Sequence, residues 1–82
     1  MEWANYIHAD PKILGGKPII KGTRISVQLL LERLAHGWTE AMIFESYPHL
    51  PKETFRAVYA FLLDNIKDDI FVISSPGLRQ AS

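Results

Sequence analysis

A chain of 82 residues that is 48% hydrophobic and 22% charged, with no cysteine, reads as one small globular unit; a disordered tail, a disulfide framework and a thiolate metal site are excluded. A core this size buries only about 60% of the unfolded surface, so a homodimer is expected. Nine cations balance nine acids, which argues against a nucleic-acid binder until the charges are placed along the chain: Lys12, Lys17, Lys21 and Arg24 give residues 11–31 a charge of +4 with no acid, and residues 32–70 sum to −3.

Residues 1–25 are dense in turn formers. Asp10-Pro11, Gly15-Gly16, Pro18 and Gly22 punctuate the apolar pairs Tyr6-Ile7, Ile13-Leu14 and Ile19-Ile20, which predicts short strands and turns. A tight hairpin is expected at Lys21-Gly22, between Ile19-Ile20 and Thr23 to Ile25. The opening MEWANYIHADPK has no basic, then apolar, leader, and no run approaches the roughly 20 apolar residues of a membrane span. A soluble, cytoplasmic protein without membrane contact is therefore expected.

Residues 26–66 have helical periodicity. Ser26 is placed to cap a first helix carrying Val27, Leu29, Leu30, Leu31 and Leu34, and His36-Gly37 is placed to end it. Thr39 caps a short second helix through Ser46, which Pro48 stops. A third, longest helix is expected to open at Pro51, with Phe55, Val58, Tyr59, Leu62 and Ile66 as its core-facing stripe. Beyond it, residues 67–82 read as a short strand, Ile70 to Ile73, and a flexible tail. The predicted fold class is mainly α: a three-helix helix-turn-helix, winged or homeodomain-like, with a short N-terminal β-hairpin.

In such an arrangement the last helix enters the major groove, which makes Lys52, Thr54 and Arg56 candidates for contact with DNA. Lys17, Lys21 and Arg24 are candidates for gripping phosphates beside it. The plainer alternatives are an ordinary three-helix bundle and a solvated hairpin rim. Arg24 itself reads two ways, as a phosphate ligand or as a fork donating to backbone carbonyls at the strand-to-helix junction, with the structural role favoured.

Enzymatic chemistry finds no support. His8, His36 and His49 have no ligand spacing, Gly15-Gly16-Lys17-Pro18 lacks the phosphate-loop pattern, and the adjacent Asp68-Asp69 diverge in either a strand or a helix. Neither a cofactor nor a metal is expected, and Trp3 and Trp38 are read as packing residues.

The stretch IHADPKILGGKPIIKGTRISVQLLLERLAHGWTEAMIFESYPHLPKETFRAVYAFL, from Ile7 to Leu62, resembles the bacterial Domain of Unknown Function 433 family. The resemblance rests on Asp10-Pro11, Gly15-Gly16-Lys17-Pro18, Lys21-Gly22-Thr23-Arg24-Ile25, Gly37 and Tyr47-Pro48. It implies a winged or homeodomain-like helix-turn-helix, often dimeric, and a place among VapB-type antitoxins partnered by PIN-like ribonuclease toxins. A DNA-binding, antitoxin-like regulator of its own promoter is the expected function, with a non-DNA-binding interaction or dimerisation module as the alternative. Ile70, Phe71, Val72 and Ile73, outside the resemblance, would then add a strand to a toxin, or else pair within the fold.

Overall fold

Short apolar pairs and well-placed caps organise the chain in the computed structural model, which describes residues 1–67. A 3-10 turn at Trp3–Asn5 leads into β1, Ile7–His8, and a second such turn at Leu14–Gly16 precedes β2, Ile19–Ile20. Three helices follow: α1, Val27–Ala35; α2, Glu40–Ser46; and α3, Thr54–Ile66. The molecule is mainly α with a two-stranded antiparallel sheet at its N-terminal end. The expected strand at Ile70 to Ile73 and the expected tail lie outside the described residues. Among those described, no helix is long and apolar enough to cross a membrane.

The sheet pairs β1 with β2, Ile7 opposite Ile20 and His8 opposite Ile19. Here the structure corrects the expected partner in part: β2 forms its ladder with β1, and the returning chain adds an Ile20 N–H to Ile25 carbonyl hydrogen bond at 2.9 Å and a bridge from Ser26 to Ile19. The reason is Thr23. Its hydroxyl donates to the Ile20 carbonyl at 2.7 Å and accepts from the Ile25 N–H at 3.0 Å, which closes the turn on itself. Gly22, at φ +79°, supplies the left-handed residue this turn needs.

Ser26 caps α1 as expected, accepting from the Leu29 N–H at 2.9 Å. The helix ends in a Schellman motif, in which the Trp38 N–H donates to the Arg33 carbonyl and the Gly37 N–H to that of Leu34, both at 3.0 Å. Gly37 takes φ +94° there. Thr39 then caps α2 by accepting from the Met42 N–H at 3.1 Å. Trp38 packs at this corner with the Arg33 guanidinium 5.2 Å from its ring centre.

Two expectations for α3 are corrected. Pro51 does not open the helix; its carbonyl accepts the Thr54 N–H at 3.0 Å and the Thr54 hydroxyl, forming a tight turn ahead of the first helical residue. The buried face is also rotated from the expected stripe. Phe55 and Val58 are buried and Leu62 packs against the core as expected; Thr54, Ala57 and Phe61 join them, whereas Tyr59 and Ile66 are exposed. The rotation follows from what covers the helix. Trp3 lies edge-on to Phe61, ring centres 4.8 Å apart, and its indole N–H donates to Asp64 Oδ2 at 2.7 Å, so the N-terminal turn selects the side of α3 that points inward. Ile7, Ile20, Val27, Leu30, Ile43 and Leu50 complete the core.

Candidate nucleic-acid interface

The turn that Thr23 closes determines what Arg24 can do. With the local backbone already tied by the threonine hydroxyl, Arg24 makes no hydrogen bond or ion pair among the described residues, and its side chain is exposed. The structural fork favoured for Arg24 is therefore corrected: the neighbouring residue holds the junction and the guanidinium is left for solvent or a ligand.

Arg24 and Lys17 line one open groove of about 380 Å³ at the start of α1, where Ser26 and Leu29 form its floor. Leu14 stands on the rim, nearly half exposed and held at φ +51°, a left-handed angle that a side chain of this type rarely takes. The Glu32 carboxylate also borders the groove and accepts from Gln28 Nε2 at 3.0 Å. Two cations against one acid leave the groove net positive, and the N-terminal end of the α1 dipole adds to the attraction for an anion. Leu14, Leu29 and Glu32 went unnoticed in the sequence because nothing in their spacing brings residues 14 and 29 together. The chain reversal at Lys21 to Arg24 does that.

The remaining candidates divide. Lys21 is exposed on the turn but does not line the groove. Lys52 and Arg56 are exposed, on the approach to α3 and in its first turn. Thr54 is a correction, since it is 0% exposed and its hydroxyl donates to the Pro51 carbonyl at 2.6 Å; it anchors the turn and cannot reach a duplex. Ile70, Phe71, Val72 and Ile73 lie outside the described residues. Of the histidines, His36 sits at the α1 C-terminus with Nδ1 2.6 Å from the Glu32 carbonyl, and His8 and His49 are exposed. Among the described residues no three His, Asp or Glu side chains are grouped closely enough to share a metal ion.

The charge pattern is the feature that unites the surviving candidates. Among the described residues the one ion pair joins Lys67 to Asp64 at 3.9 Å, so Lys17, Lys21, Arg24, Lys52 and Arg56 are all exposed and unpaired. Surface cations commonly sit beside an acid, which costs little and gains little. These five candidates, and Lys12 with them, have none among the described residues and keep their charge for an external partner.

The family model described as "Protein of unknown function (DUF433)" matches residues 7–62. The chain belongs to that family. This DUF433 chain is 34% identical over 56 residues to the "Uncharacterized protein y4eO" of Sinorhizobium fredii (strain NBRC 101917 / NGR234). The match takes in 66% of this chain and only 25% of that relative, so the chain corresponds to about a quarter of the longer protein. No solved structure matches the DUF433 chain. The matched span includes the Thr23 turn, the Lys17/Arg24 groove and most of α3, and it stops at Leu62.

Proposed function

We propose that this chain is a DNA-binding, antitoxin-like transcriptional regulator that acts in the cytoplasm without catalysing a reaction of its own. The observation that carries the reading is that Lys17, Lys21, Arg24, Lys52 and Arg56 are exposed and have no ion-pair partner among the described residues. Duplex affinity comes chiefly from cations replacing the counterions of phosphates, and a cation already neutralised by an acid contributes little to that exchange. Lys17 and Arg24 at the head of α1 would clamp one phosphate run, and Lys52 and Arg56 would bring the start of α3 to the groove. The burial of Thr54 narrows the base-reading set to side chains beside it. The antitoxin part of the proposal, with a PIN-like ribonuclease toxin as partner, is supported by the family resemblance.

The test is a fluorescence-anisotropy titration of a labelled duplex from the gene's own promoter, repeated over a range of salt. Binding at micromolar protein that weakens with salt is expected, and the double variant Lys17→Ala/Arg24→Ala should flatten the slope of log K against log salt by about 2. Absent or salt-insensitive binding removes the DNA reading. The second reading, a protein-interaction module, is favoured by the apolar lining that Leu14 and Leu29 give the groove. Co-purification with the product of an adjacent gene, with no duplex binding, would select it.

A further inference from the structure

Leu14 is held at a backbone angle that costs energy, with no packing inside the molecule to offset it. It opens the 3-10 turn Leu14–Gly16 at φ +51°, and Gly15 and Gly16 follow at +66° and +86°, so it is the one residue of this left-handed stretch that carries a side chain. Hydrogen bonds fix it there. The Ile13 N–H donates to the Asp10 carbonyl at 2.8 Å, the Gly16 N–H to the Ile13 carbonyl at 3.0 Å and the Lys17 N–H to the Leu14 carbonyl at 3.3 Å. The Asp10 carboxylate braces the same segment by accepting the Lys12 N–H at 2.9 Å. A single exposed leucine needs no explanation when its backbone is relaxed. Leu14 is strained, 47% exposed, and belongs neither to the core nor to the residues packed against it. What the strain achieves is position: an apolar side chain stands on the rim of the groove that Lys17 and Arg24 line.

We propose, resting on the reading of this chain as a DNA binder, that Leu14 is a wedge that enters a base step from the minor groove and kinks the duplex, with Lys17 and Arg24 on phosphates of the same segment. Inserting an apolar side chain unstacks neighbouring bases, and that cost is offset only by the contacts the bend allows. Two properties of the site serve this. The hydrogen bonds on either side of Leu14 keep the wedge from folding back onto the protein, so little freedom is lost when it inserts. Lys17 and Arg24, which have no ion-pair partner among the described residues, share its groove and can hold the backbone of the bent duplex. The unstacking cost also differs among base steps. A wedge therefore confers a preference for the easily kinked TA and CA/TG steps without a hydrogen bond to any base, a source of selectivity separate from Lys52 and Arg56.

Resonance energy transfer between dyes at the two ends of a duplex from the gene's own promoter reads the kink, and anisotropy of the same duplex reads the affinity. The wild type should shorten the end-to-end distance. Leu14→Gly removes the wedge and relieves the strained angle together, so it should hold or raise the urea midpoint, abolish the shortening and weaken binding by about tenfold. It alters no cation, and the slope of log K against log salt should stay as it was. Leu14→Met, which keeps a long apolar side chain, should retain the kink. Exchanging the TA and CA/TG steps of the duplex for stiffer ones should weaken the wild type and not Leu14→Gly. Wild-type binding without shortening, or a Leu14→Gly variant that kinks the duplex as the wild type does, overturns the wedge and leaves the DNA reading standing; absence of wild-type binding overturns both. A Leu14→Gly variant that loses stability along with binding gives Leu14 a folding role instead, and one that loses an adjacent gene's product while still kinking the duplex gives the rim to a protein partner.

Discussion

Thr23 and Arg24 are adjacent and do opposite work. The threonine hydroxyl makes two hydrogen bonds that close the turn between β2 and α1, whereas the arginine makes none among the described residues. Thr23→Ala should therefore lower stability by about 1–2 kcal/mol, because it leaves the part-buried Ile25 N–H without its acceptor. Arg24→Ala should change stability by less than about 0.5 kcal/mol, as exposed substitutions usually do, while weakening duplex binding. Urea midpoints of the two variants, set beside their anisotropy titrations, separate the roles. An Arg24→Ala variant as unstable as Thr23→Ala would restore the structural fork. The sequence made this segment conspicuous but left the assignment open, since both residues can hydrogen-bond a backbone and only the fold shows which one is turned inward.

At the scale of the element, what could be read from the chain tracks how local the cause is. Ser26, Gly37 and Thr39 act within four residues of themselves, so the ends of α1 and the start of α2 were legible. The buried face of α3 was legible in part: Phe55, Val58 and Leu62 turn inward as expected, whereas Tyr59 and Ile66 do not. Its sequence, TFRAVYAFLLDNI, is apolar on more than one side, and the choice between sides is made by Trp3, 61 residues from its hydrogen-bond partner Asp64. The same rotation brings the Tyr59 hydroxyl to Glu40 and so ties α3 to α2. Desolvation first, then the hydrogen bond to Glu40 and its negative charge, raise the Tyr59 phenol above its ordinary value of 10.0. The protonated phenol is thus the form the fold prefers. Its contribution is fully present below the unfolded value and is lost as pH climbs through the raised folded value. Between about pH 9 and about pH 11, the wild type should accordingly lose more stability than Tyr59→Phe, as measured by paired urea titrations. Equal losses in the two proteins would mean that the link to Glu40 does not survive in solution.

For the whole molecule, the zero net charge conceals a basic set that has no ion-pair partner among the described residues. The homodimer expected for so short a chain would present that set twice to one duplex. Each phosphate neutralised contributes about −0.9 to the slope of log K against log salt. One copy using Lys17, Lys21, Arg24, Lys52 and Arg56 therefore cannot exceed a slope of about −4.5, while a dimer engaging both sets approaches about −9. A wild type that pairs should lie beyond the single-copy limit. Salt-dependent anisotropy on the wild type, with sedimentation run under the same conditions, gives the slope and the oligomeric state together. A dimeric wild type whose slope stays within the single-copy limit would show that pairing turns one basic set away from the duplex. A monomeric wild type that already exceeds the limit would show that cations beyond these five reach phosphates.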